Sequence, residues 1–278
     1  MAPSHKLLLL ALAALAGGGC VVFNEECSPQ VKNPEDVTGW LGGDVSTLKA
    51  TVRTSDNAIG QLVAESYFHA FPGAPPDFGL ENSGAVRSEG LCESHETVPK
   101  GPVKRKLLRE VLPFDDTLVT VKVTHHQLKN LLEHSIAGLS PGGATTPPGQ
   151  FLQIYGGTVS ADCKLPTETI DPADGSRTKD GSRITDITLQ KRDGTTQSLN
   201  LHPPSDSETV RIAFNSYMLS GGDGYLDLKT IDTNSTSSGY VQGDFNFEVI
   251  AAYFKATYTT SNALPVPPAQ KWLLTDCH

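Results

Sequence analysis

The chain has 278 residues, with 22 Lys and Arg against 31 Asp and Glu, a formal net charge of −9. That acidic balance excludes a general role on nucleic-acid polymers, which attract proteins largely by releasing counterions to basic side chains. The length suits one generous domain better than two.

In chain order, His5 and Lys6 precede the apolar run 7–16, which is too short to span a bilayer. Residues 1–19 are expected to be an export signal of lipoprotein type. Gly17-Gly-Gly-Cys20 resembles a bacterial lipoprotein box, with Cys20 as the lipidated residue, although Gly17 stands where an aliphatic side chain is usual. Ala14-Leu-Ala16 offers a second cleavage point and a secreted product. Either route predicts export, to a lipid-anchored position in a bacterial cell envelope or beyond it. Residues 20–45, polar and carrying Pro29 and Pro34, are expected to be a tether to the membrane.

The five cysteines are Cys20, Cys27, Cys92, Cys163 and Cys277. Lipidation of Cys20 leaves four for an oxidising compartment, with three possible pairings. One of them joins Cys27 to Cys277, tying the ends of the mature chain, and Cys92 to Cys163. No C-x-x-C spacing supports zinc.

The globular domain is expected over 46–260, with a Pro-rich tail at 261–278. A helical stripe of Ile59, Leu62, Val63 and Tyr67 predicts a helix over 58–68. The basic stretch 100–109 places Val103, Leu107 and Leu108 at helical spacing, as the solvated face of an amphipathic helix rather than a polyanion patch. Alternation predicts a strand at 118–123, and Thr124 caps a helix over 127–136. A loop at 140–149 precedes short strands at 151–154, 158–161, 184–189 and 209–213, and a helix follows at 247–254. Helices interleave with strands without a regular βαβ rhythm, so the fold class is α+β.

The run Asn215-Ser-Tyr-Met-Leu-Ser-Gly-Gly-Asp-Gly-Tyr225 carries the most chemistry. Glycines 221, 222 and 224 let a ligand approach the backbone. Asp223 can accept two hydrogen bonds from a vicinal diol, and Tyr217 can offer a ring face to a base. Arg53, the turn Asn82-Ser-Gly84-Ala-Val-Arg87 and Val111-Leu-Pro-Phe114 add two guanidinium groups, an amide and a second aromatic ring. Together they form a set suited to nucleotide recognition. The histidines, including His125-His126, bring no carboxylate-rich motif that would hold a metal.

The order Arg53, Asn82-x-Gly-x-x-Arg87, Val111-Leu-Pro-Phe114, Gly149-Gln-Phe-Leu-Gln153, Asn215-x-Tyr217 and Gly221-Gly-Asp-Gly-Tyr225 resembles the C-terminal, substrate-binding domain of the 5′-nucleotidases and UDP-sugar hydrolases. Leu132-Glu-His-Ser135 matches as well. The resemblance implies a layered α/β/β/α domain with mixed sheets. It puts Phe114 and Tyr217 in the base-stacking positions, Asn82 on the base edge, and Arg53 and Arg87 on the ribose and phosphate side. Asp223 takes the ribose, with Gly84 and Gly222 giving backbone room. Tyr217 stands where phenylalanine is common, and Ala85 where a second glycine is usual.

In that family catalysis belongs to an N-terminal two-metal domain, marked by an early Asp-x-His and a Gly-Asn-His-Asp/Glu block; neither stands ahead of Arg53. The expectation is a nucleotide-recognition subunit of a split phosphohydrolase, inactive alone and without its own cofactor. Its partners would be a nucleotide or nucleoside, a metallophosphatase chain that brings the divalent metals, and the membrane through its lipid. A nucleoside-binding lipoprotein with no catalytic partner and a degenerate surface scaffold are the alternatives.

Overall fold

Val119, Val121 and Val123 alternate with polar Thr120 and Lys122, the period of a strand with two different faces. In the computed structural model, which describes residues 31–87, 96–143 and 149–278, this segment is the strand Thr117–Thr124. It lies in a five-stranded sheet of order Val241–Phe245, Thr117–Thr124, Thr209–Asn215, Phe78–Asn82, Leu152–Tyr155. Thr209–Asn215 runs parallel to Phe78–Asn82, and every other pair is antiparallel. A second sheet orders Thr196–Ser198, Ile184–Gln190, Gly157–Asp162 and Trp272–Thr275, the last pair being parallel.

The strand's two faces serve two cores. Val119, Val121 and Val123 pack with Leu128, Leu131 and Leu132 of the helix His125–Ser135 and with Val159 and Ile187 of the second sheet. Leu118 and Ala213 look the other way, into a core with Leu62 and Tyr67 of the helix Ala58–His69 and Ile250 and Phe254 of the helix Asn246–Thr257. Each buried Val, Leu, Ile or Phe among them contributes about 1.5–3 kcal/mol through removal from water. This is the α+β architecture with mixed sheets that the sequence predicts.

Thr124 caps its helix as expected. Its hydroxyl accepts from the Gln127 amide at 3.0 Å, and Gln127 Oε1 accepts from the Thr124 N–H at 2.9 Å, a full capping box.

Four expectations need correction. The stretch 20–45 includes the strand Val37–Leu41, which pairs with Gly101–Lys104, so this part of the supposed tether is built into the fold. For the same reason 100–109 is not one helix. Gly101–Lys104 buries Val103 from a strand, and the helix Arg105–Val111 buries Leu108. Pro102 has no N–H and sits where pairing can do without one. The tail 261–278 supplies the edge strand Trp272–Thr275, whose indole donates to the Leu152 carbonyl at 2.7 Å. Finally, Cys277 pairs with Cys163, not with Cys27, and so fastens this strand to the one beside it.

The export signal, Cys20, Cys27 and Cys92 lie outside the described residues. Among those described, no helix is long and apolar enough to cross a membrane.

Candidate functional site

The parallel strands Phe78–Asn82 and Thr209–Asn215 finish side by side, and their last residues begin the site. Asn215 Oδ1 accepts from the Met218 N–H at 2.9 Å and starts the short helix Ser216–Leu219. Asn215 Nδ2 donates to Glu81 Oε2 at 2.9 Å and to Asn82 Oδ1 at 2.8 Å. Asn82 Nδ2 then donates to Asp223 Oδ2 at 2.6 Å. A chain of side chains thus runs from a buried acid to an acid on the site.

Glu81 is enclosed, and burial pushes its carboxyl up to about 8, against the opposing hydrogen bonds of Asn215 and Tyr67. At neutral pH it is mostly the neutral acid. Asn82 is only 2% exposed and its amide is engaged at both ends. Through these two bonds Asn82 orients Asp223 from the wall of the cleft.

Asp223 sits in the turn Gly222–Gly224 with φ of 51°, the left-handed region. Two groups hold it there besides Asn82, through three hydrogen bonds. The Tyr217 hydroxyl donates to Asp223 Oδ1 at 3.2 Å and accepts from the Asp223 N–H at 3.2 Å. His134 Nε2 meets the Asp223 carbonyl at 2.9 Å, while His134 Nδ1 meets Glu168 Oε1 at 2.6 Å. An imidazole can donate from both nitrogens only as the cation. Burial opposes that charge, but Glu168 and the Asp223 carbonyl outweigh it and raise the His134 pKa.

Below the carboxylate the backbone is bare. Gly84 N–H donates to the Gly149 carbonyl at 2.8 Å, and a Cβ on Gly84 or Gly149 would stand 2.8 or 2.7 Å from Asp223 Oδ2. The buried Tyr225 hydroxyl donates to the Gln150 carbonyl and holds this crossing in place.

Arg53 follows the short helix Lys49–Val52. Gln153, fully buried, fixes its loop by donating to the Val52 and Ser55 carbonyls, both at 2.9 Å, and accepting from the Asn57 N–H at 2.8 Å. Arg87 N–H donates to the Val111 carbonyl at 2.8 Å, which brings the Leu112-Pro-Phe114 segment alongside. The Arg87 guanidinium lies 5.7 Å from the Phe114 ring centroid.

These elements surround a cleft of about 380 Å³. Arg53, Asn82, Gly84, Arg87, Phe114, Tyr217 and Asp223 all line it, as do Ala85, Asp116 and Gly149. Gly222 does not; it packs against the Tyr217 ring, where a Cβ would come within 2.4 Å of ring carbons. Phe114 and Tyr217 are each 44% exposed, an unusual cost for two aromatic rings unless something covers them. Asp116 was missed. It is fixed by the Ser216 hydroxyl at 3.0 Å, and nothing in Phe-Asp-Asp tells which of the two acids turns inward. Among the described residues no group of three or more His, Cys, Asp or Glu is placed to hold a metal ion.

A family profile described as 5′-nucleotidase, C-terminal domain, matches residues 38–230. The chain is 25% identical over 212 residues to the trifunctional nucleotide phosphoesterase protein YfkN of Bacillus subtilis, covering 76% of this chain and 12% of that one. It is 28% identical over 238 residues to a 5′-nucleotidase of Diplobatis ommata, covering 86% of this chain and 34% of the relative. The crystal structure of the 5′-nucleotidase precursor from Thermus thermophilus superposes with a TM-score of 0.65 at 22% identity, covering 86% of this chain and 39% of that one. The chain thus spans about a third or less of the length of these two curated relatives.

Proposed function

Because the chain belongs to the 5′-nucleotidase C-terminal domain family, we propose that its cleft recognises a nucleotide or nucleoside as the specificity part of a split phosphohydrolase. The observation that carries this reading is the pair of half-exposed rings, Phe114 and Tyr217, lining one cleft with a pinned carboxylate, Asp223. The rings take the base, where stacking contributes about 1–3 kcal/mol per base. Asp223 takes the ribose hydroxyls. Arg53 and Arg87 take sugar or phosphate oxygens, for which guanidinium groups are suited by their fork of donors. Asn82 and Gly84 orient and admit, and Gly222 seats the Tyr217 ring.

The catalytic metals belong, in this reading, to a metallophosphatase domain on a separate chain, and Cys20 carries a lipid that keeps the protein at the cell envelope. Calorimetry with adenosine and AMP tests the recognition step. Binding is expected for the wild type and a loss of about tenfold or more for Phe114→Ala and for Tyr217→Ala. Equal heats for wild type and both variants would defeat the proposal. A phosphate-release assay with AMP and added Mn²⁺ or Zn²⁺ tests the division of labour: turnover by the purified chain alone would overturn it. Co-purification of a metallophosphatase chain would separate the split enzyme from a nucleoside-binding lipoprotein.

A further inference from the structure

The Tyr217 hydroxyl is not needed for stacking, since a phenylalanine ring offers the same face to a base. Here the hydroxyl has a different set of contacts. It donates to Asp223 Oδ1 and accepts from the Asp223 N–H, both at 3.2 Å, while Asn82 Nδ2 holds Oδ2 at 2.6 Å. Each carboxylate oxygen therefore has one neutral donor from the protein. An ionised carboxylate has about four lone-pair sites in all, so one remains on each oxygen. Two remaining sites, one on each oxygen of a carboxylate held by a donor on either side, match the two adjacent hydroxyls of a vicinal diol. The backbone of Asp223, in the left-handed region, is kept in register with the Tyr217 ring by the same hydroxyl.

We propose that the Tyr217 hydroxyl is a positioning group that makes the cleft selective for sugars with an intact vicinal diol, by holding Asp223 turned toward the ligand. The inference rests on the nucleoside-recognition reading above. It adds the group that aims Asp223, on which the preference for ribosides over their deoxy counterparts would depend.

The test is calorimetric titration of the full chain with adenosine, 2′,3′-dideoxyadenosine and adenine, for wild type, Tyr217→Phe, Asp223→Asn and the double variant. Asparagine is chosen at 223 because it tolerates a left-handed φ. For Tyr217→Phe, adenosine affinity is expected to fall about tenfold, the scale of one hydrogen bond to a charged group. Dideoxyadenosine and adenine affinities should stay within about twofold. In the Asp223→Asn background the Tyr217→Phe change should have no further effect on adenosine, because the group it positions has lost its charge.

Equal losses for adenosine and dideoxyadenosine would mean that the hydroxyl only supports the ring, and the proposal falls. Unchanged adenosine affinity in Tyr217→Phe also overturns it. If the wild type binds none of the three ligands, the recognition reading itself fails and this inference goes with it.

Discussion

Asn82 Nδ2 and Asp223 Oδ2 lie 2.6 Å apart, a hydrogen bond between residues separated by 141 positions. This contact closes the site. It joins the turn after the strand Phe78–Asn82 to the glycine turn that follows Tyr217, and Asn215 braces it from below through Asn82 Oδ1. Asn82→Ala removes a donor from Asp223 and an acceptor from the buried Asn215 amide. The expected cost is about 1–3 kcal/mol of stability, read by urea denaturation, with weaker adenosine binding. Asn82→Asp has nearly the same shape but sets a second carboxylate against Asp223. It should bind adenosine less well than Asn82→Ala, an order that calorimetry can reverse or uphold.

Gly84→Ala places a methyl 2.8 Å from the Asp223 carboxylate and 3.2 Å from the Gly149 backbone, whereas Gly149→Ala places one 2.7 Å from both that carboxylate and the Gly84 backbone. A side chain can turn aside, whereas backbone moves only with its neighbours. Gly84→Ala should therefore fold with a melting temperature close to wild type and lose ligand affinity. Gly149→Ala should lose stability as well. Equal melting temperatures for the two variants would contradict the crossing of backbones described at this point.

The turn bearing Asp223 should loosen as pH rises. Burial works against the charge on His134, but Glu168 and the Asp223 carbonyl hold its pKa above the usual 6.5. A group whose pKa is raised on folding contributes stability fully below its unfolded value and loses it as pH climbs through the folded one. Glu168 acts in the opposite sense. Burial lifts its pKa, yet His134 and Arg177 bring it below the usual 4.5, so its contribution is lost as pH falls. Urea midpoints of the wild type should thus decline from about pH 6 toward alkaline pH. His134→Gln should be less stable at about pH 6 and show a shallower decline. Parallel pH profiles for the two proteins would count against the cationic form.

Glu81 adds to that slope. Burial raises its carboxyl from 4.5 to about 8, so the folded state keeps a proton that the unfolded chain releases. Its penalty grows as pH rises between those values. Glu81→Gln cannot ionise and still offers Asn215 an oxygen. It should be as stable as wild type under acid and more stable above neutrality, a difference visible by urea denaturation at several pH values. A variant destabilised equally at every pH would show that packing, not protonation, dominates at this position.

Much of the site was legible in the sequence because its parts are local. Tyr217 and Asp223 stand six residues apart around a glycine turn, and Asn82, Gly84 and Arg87 share one short bend. Periodicity located the strand Thr117–Thr124 and its capped helix for the same reason. What sequence reading missed depends on partners far along the chain. Val103 looks helical beside Leu107 until Val37–Leu41 is known to pair with its segment. Cys163 finds Cys277 across 114 positions only because a parallel edge strand carries it there. The tasks of Glu81 and His134 are hidden for a further reason. Each touches the site through another residue, and neither lines the cleft.

The left-handed backbone at position 223 limits what any search for altered specificity can find there. Aspartate, asparagine and glycine are the residues that such a φ admits readily, and of these only aspartate brings charge. A saturation library at 223 would be filtered by the main chain before any ligand is offered. New sugar preferences would have to be sought among the neighbours that aim this carboxylate, with the carboxylate itself left in place.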